Sequence, residues 1–191
     1  MNNTYYVPLN LDIYPLTRPI ENCPKFLHAH ISLSEVNPDF ISLLNDLGLY
    51  IKATHLFYKD IDPIPNRLPH VDYIDGMDYK TGCDHARLNF VYKGKDSKML
   101  WYKIKDNVQP KDVKQGGLIN YVQYRFKELE LAAATTIINK PCIVQVGQPH
   151  RIINSVEERY CLSFKLKRMD SNSTLTMNEM IENFKDYISI T

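Results

Sequence analysis

The chain has 191 residues with 23 basic and 22 acidic side chains, a net charge of +1. That is enough for one well-buried core, and it leaves no electrostatic footprint for a nucleic-acid or anionic-membrane partner. No segment reaches the apolar length a bilayer needs, and "MNNTYYVPLNLDIYPL" lacks a charged start ahead of an apolar core, so a soluble, cytoplasmic single domain over 1–191 is expected.

The first clear element is "NPDFISLLNDLG": Asn37 caps, Pro38 suits the first helical position, Phe40, Ile41, Leu44 and Leu47 form an apolar stripe, and Gly48 ends it. Strand-like runs follow: "YIKATHLFYK", "RLPHVDY", "HARLNFVYK", "KMLWYKI", "ELELAAAT", "CIVQV", "HRIIN" and "RYCLSFKLK". Between the fourth and fifth, "KDVKQGGLINYVQYRF" has no clear period and reads as loop with room for short structure. A second helix is expected near 176–189, where Met177, Met180, Ile181, Phe184 and Ile188 fall on one face. Short strands with loop-sized gaps, flanked by helices, predict a mainly β jelly roll with its core over about residues 50–168. Cys23, Cys83, Cys142 and Cys161 lie far apart with no C-x-x-C, so they read as reduced, unpaired thiols.

In "RLPHVDY" an extended backbone turns His70 and Asp72 to one face and Val71 and Tyr73 to the other. A third ligand is available in His150, which follows the buried-looking "CIVQV" and a turn at Gly147. Two neutral imidazoles and one carboxylate make a facial set suited to non-haem Fe(II), with positions left open. On "RYCLSFKL" alternation places Arg159, Cys161 and Ser163 on one face and Tyr160, Leu162 and Phe164 on the other. On "HARLNFVYK" Arg87 and Asn89 share a face. Trp101 and Tyr102 point oppositely, so one of them lines a pocket, and we take Trp101. His85, beside Asp84 at a strand entrance, is a candidate pocket-rim contact, with a hydrogen-bonded turn residue as its simpler reading.

The ordered set of His70-x-Asp72, then distant His150, then Arg159 nine residues later resembles the 2-oxoglutarate and Fe(II)-dependent oxygenase superfamily. "PHRIINSVEERYCLSF" is similar to its carboxy-terminal signature, and "RLNFVYKGKDSKMLWYK" to the central strands of small members, several of them phage-encoded. The resemblance implies a double-stranded β-helix, Fe(II) on His70, Asp72 and His150, and 2-oxoglutarate as co-substrate with O2. It implies a hydroxylase, with oxidative decarboxylation to succinate and carbon dioxide. The planar fork of arginine suits the far carboxylate of 2-oxoglutarate, so the clamp falls on Arg159, with Arg87 as rival. Asn89 is assigned to the co-substrate, and Arg87, His85 and Trp101 to the prime substrate, which the residues do not name. Cys161 departs from the family, which often has a hydroxyl residue at that place. Two other readings stand beside the oxygenase: a non-catalytic jelly-roll binding or structural protein, and a cupin-like metalloprotein. For the last, His28 and His30 in "HAHISLSE", ahead of Glu35, resemble a first cupin motif, and "GQPHRIIN", with Gly147, His150 and Asn154, a second. Most of the strands separate the two, and a helix starts at Asn37–Pro38, so His28 and His30 read as structural.

Overall fold

The computed structural model describes residues 5–189 except 24, 26–27, 60–67, 73–84, 107, 109–111, 117–118 and 154–156, with the backbone alone at 112–116 and 119–121. The expectations that fall on Tyr73, Cys83, Asp84 and Asn154 lie outside the described residues.

Among the described residues twelve strands form two six-stranded antiparallel sheets. In chain order they are β1 (Tyr6–Pro8), β2 (Ala29–His30), β3 (Leu49–Lys59), β4 (His70–Asp72), β5 (Ala86–Lys93), β6 (Lys98–Ile104), β7 (Asp112–Gly116), β8 (Ile119–Gln123), β9 (Leu129–Thr136), β10 (Pro141–Gln145), β11 (His150–Ile153) and β12 (Arg159–Arg168). The first sheet runs β1-β10-β5-β12-β3-β2 and the second β7-β8-β4-β11-β6-β9. The chain changes sheet at each step from β3 to β6 and again from β9 to β12, so sequential strands mostly face one another across the interior.

The eight runs read from the sequence all become strands, and alternation of polarity explains which way each is turned. On β5 and β12, Leu88, Phe90, Leu162 and Phe164 join the largest apolar cluster, which includes Phe40 and Leu44 of α1 (Pro38–Asp46) and Met177 and Met180 of α2 (Met177–Asn183). Their sequence neighbours Val91 and Cys161 face the second sheet, in a cluster with Met99, Trp101 and Val144. The first sheet is therefore covered by helices on one face and by the second sheet on the other. The helix ends follow the sequence signals. The Asn37 side chain accepts from Asp39 N at 2.9 Å, Thr176 and Glu179 form a reciprocal capping box, and Gly48 leaves α1 at φ +69°.

Three features differ from the sequence reading. The segment read as loop with room for short structure holds a regular strand pair, β7–β8, with Gly116 opposite Ile119. Its Gly-Gly pair and β-branched residues are the hairpin signal that the charged start "KDVK" masks. The second helix is shorter than its apolar period suggests. After Asn183 the chain tightens into a 3-10 turn, Lys185–Tyr187, and Ile188 then bridges Leu9 while Ser189 N donates to Pro8 O, so backbone groups that would extend the helix serve the first strand instead. Finally β1 and β2 extend the two edges of the first sheet, in a region where the sequence offered no strand-length run. Among the described residues no helix is long and apolar enough to cross a membrane.

Candidate metal centre and its surroundings

His70, Asp72 and His150 come together. One ligand atom from each lies within 4.8 Å of the others. The cause is strand pairing: His70 stands directly opposite His150 across β4 and β11, with ring centres 4.6 Å apart, and alternation brings Asp72 to the same face. Other contacts orient the donors. His150 Nδ1 lies 2.9 Å from the Gln148 carbonyl, which only accepts, so Nδ1 carries the proton and Nε2 keeps its lone pair. Arg87 Nη2 sits 3.2 Å from Asp72 Oδ2, while Oδ1 stands 3.9 Å from His70 Nε2. One carboxylate oxygen is thereby engaged by the guanidinium and the other is turned to the imidazoles.

The electrostatics keep Asp72 and His150 in ligand-competent form. Burial alone would raise the Asp72 carboxyl, but Arg87 first, then His150 and His70, outweigh it and hold the group below its usual range. Burial lowers His150, against the opposing pull of Asp72 and the Gln148 carbonyl, so the ring stays neutral near pH 7.

Arg159 begins β12 at the opposite end of the β5–β12 ladder from Arg87. It is 3% exposed, so it is not a surface residue facing Glu157 and Glu158. Those glutamates are engaged elsewhere: Glu158 pairs with Lys93 and Lys25 and accepts from Tyr58, and Glu157 accepts from Lys95 N at 2.6 Å. Among the described residues no carboxylate pairs with Arg159, and its Nε is buried without a hydrogen-bond partner. A buried guanidinium with no counter-ion is costly unless something anionic meets it. Cys161, on the same face, lies within reach of both guanidinium charges; burial raises its thiol, with Arg159 as the main opposing influence. Gly94 holds the Arg159 stem in place. At φ +75° it sits so close that a Cβ there would stand 2.8 Å from Arg159 Cγ.

Asn89 pairs in register with Ser163 on β12, is buried, and leaves Oδ1 unpartnered, as does Arg87 Nη1. Five of the ten buried polar or charged residues among those described are Asp72, Arg87, Asn89, His150 and Arg159. Polar burial is thus concentrated where the chemistry was expected, against the general rule that interiors exclude such groups. The other two assignments go differently. Trp101 shares a row with His150 but is fully buried, packs against Tyr5 and Tyr6, and gives its indole N–H to Gln145 O at 2.8 Å, which leaves no donor for a ligand. His85 bridges Thr176 ahead of α2 and its carbonyl accepts from Val146 N, so it ties the start of β5 to the helix side.

Sequence reasoning passed over Gly94, whose signal was a lone glycine in "YKGKDSK", and it read His55 as a packed or edge residue without its histidine partners, which come from a distant part of the chain. Two surface hollows of about 340 and 250 Å³ border Tyr14 and Tyr92 and touch none of these residues. The ligating geometry locates the centre. No family model matches the chain, and no curated protein matches it.

Proposed function

We propose that the chain is a non-haem Fe(II)- and 2-oxoglutarate-dependent oxygenase that hydroxylates a C–H bond of its substrate, built on a double-stranded β-helix. The observation that carries this reading is the buried Arg159, whose Nε has no hydrogen-bond partner and which meets no carboxylate among the described residues, set on the same interior face as a His-Asp-His group. A metal site alone would suit many functions. A metal site with a separate buried cation asks for a ligand carrying a second negative group, and a short dicarboxylate meets both demands. The strand order supports the fold, because the runs β10-β5-β12-β3 and β4-β11-β6-β9 interleave in the order of an eight-stranded jelly roll.

The donor set fits the metal. His70, Asp72 and His150 supply two imidazoles and one carboxylate oxygen, a borderline set that suits Fe(II) and leaves positions for other ligands. Bound Fe(II) would supply oxidative decarboxylation of the 2-oxo acid by O2 coupled to substrate hydroxylation. The chain's own residues do the rest. Gln148 fixes the His150 tautomer, Arg87 holds Asp72 Oδ2, Arg159 grips the far carboxylate, and Asn89 Oδ1 and Arg87 Nη1 remain as an acceptor and a donor for ligand groups. This division gives Arg87 the carboxylate of the metal centre and removes it as the rival clamp. A cytoplasmic setting fits the buried free thiols of Cys23, Cys142 and Cys161.

Anaerobic Fe(II) titration of the chain, with and without 2-oxoglutarate, tests the reading. A visible charge-transfer band that needs both components is expected. Stoichiometric Fe(II) binding with no such band would replace the oxygenase with a metalloprotein of another kind.

A further inference from the structure

The fold adds a third imidazole to the pair His28 and His30. β2 pairs with β3 so that His30 stands opposite His55, and their ring centres lie 4.9 Å apart. His28 lies 5.2 Å from His55, with its Nε2 3.0 Å from His55 Nδ1, and stacks on Phe57 at 5.0 Å and 11°. His55 is buried, His28 half-buried and His30 exposed, so the cluster opens to solvent on one side. None of the three belongs to the His70-Asp72-His150 group.

Packing does not call for this arrangement. An aromatic or aliphatic side chain would fill the same space without ring nitrogens to desolvate. Two of those nitrogens already meet at 3.0 Å in a ring-to-ring hydrogen bond, whose proton an ion would displace, near the roughly 3.3 Å expected between two nitrogens each about 2.0–2.1 Å from one tetrahedral ion. The third ring, His30, sits on the exposed side, and it would have to turn about its side-chain bonds to bring a nitrogen to the other two.

We propose that His28, His30 and His55 form a second metal site, separate from the His70-Asp72-His150 centre, that takes a divalent transition metal of the zinc, nickel or copper type. An all-imidazole set is neutral and soft enough to discriminate against magnesium and calcium, which prefer oxygen ligands. Burial first, then neighbouring positive charge that includes Arg87, lowers His28 and His55, so both rings keep free lone pairs at neutral pH. Because β2 is an edge strand of two residues, an ion there would tie the amino-terminal segment to β3 and stabilise the folded chain by mass action.

The experiment uses the untagged full chain carrying His70→Ala and His150→Ala, so its outcome is independent of the oxygenase reading. Calorimetric titration with Zn(II) is expected to show one ion per chain, and Co(II) in its place should give the visible absorption of a tetrahedral nitrogen site. Adding His30→Ala should weaken Zn(II) binding roughly tenfold or more, and adding His28→Ala should do the same. His30 is exposed, so its replacement does not threaten the fold, and circular dichroism checks each variant. Absence of Zn(II) binding at micromolar concentration in the folded double variant overturns the proposal. So does an affinity that neither His28→Ala nor His30→Ala changes.

Discussion

The two faces of the first sheet are made by the same strands and do opposite work. On β12, Tyr160, Leu162 and Phe164 turn toward the helices among mainly apolar and aromatic neighbours, while Arg159, Cys161 and Ser163, one residue out of phase, turn toward the second sheet among arginine, asparagine and histidine. The helix-covered face can be close-packed because it carries few polar groups and none of them is a buried charge. The inner face holds buried polar atoms without partners, Arg159 Nε, Asn89 Oδ1 and Arg87 Nη1, which destabilise the free chain unless a ligand meets them. One face stores stability and the other spends some of it on a site. A period of two lets a single strand serve both.

Replacing one residue on each face breaks this comparison most sharply. Phe164, fully buried between Phe40 and Phe90, should cost about 3–5 kcal/mol when cut to alanine, measured by urea unfolding. Its neighbour Ser163 points to the inner face, and Ser163→Ala should cost far less. Equal losses at the two positions would show that the inner face is packed as a second core.

Next in size is Asp72→Ala. On sequence grounds a ligand facing an open pocket should be removable without unfolding the domain. The structure restricts that expectation to His70, whose side chain is 37% exposed. Asp72→Ala strands a buried Arg87, a change that costs on the order of 3–5 kcal/mol in comparable buried pairs. Both variants should lose most Fe(II) affinity in an anaerobic binding assay, but only Asp72→Ala should also lower the unfolding midpoint. Unfolding curves that coincide for the two would mean that Arg87 finds another partner.

What was legible in the sequence divides along the same line. Alternation within a strand placed Arg159, Cys161 and Ser163 on one face, and His70 with Asp72 on another, because the period of a strand is local information. Contacts between strands were not local. That Arg87 meets Asp72 across the two sheets, that His55 meets His28, and that Gly94 lies on the Arg159 stem all depend on how β3, β4, β5 and β12 are brought together. The β7–β8 pair was hidden because polar residues interrupt its apolar pattern, and β2 because two residues carry no period at all.

A smaller effect is expected at the clamp, where the two roles proposed for the inner face separate. Loss of a charge-assisted contact worth about 1.5–3 kcal/mol should make Arg159→Ala weaken 2-oxoglutarate binding roughly ten- to a hundredfold while Fe(II) affinity barely changes. Gly94→Ala gives the same phenotype more weakly. Its Cβ would displace the Arg159 stem, and the positive φ adds strain of about 1–2 kcal/mol, so a several-fold rise in the 2-oxoglutarate dissociation constant should accompany a modest loss of stability. Full 2-oxoglutarate affinity in Arg159→Ala would move the clamp elsewhere on the inner face.

An effect of similar size is expected on the pH dependence of stability, and it concerns the histidine at the rim of that face. Burial first, then Arg87, His28 and His30, pushes His55 down to about 3, with the Asp72 carboxylate as the opposing influence. In the unfolded chain the same imidazole titrates near 6.5. Between those two values the unfolded state binds a proton that the folded state refuses, so unfolding is favoured as pH falls. The stabilisation is fully present above about pH 6.5 and is lost progressively from there toward pH 3. His55→Gln removes this group from the balance, and its urea-derived stability should decline between pH 7 and pH 5 with a slope shallower than wild type by up to about one proton. Parallel slopes would mean that His55 takes up its proton in the folded state too, with the ring turned from the buried face toward solvent.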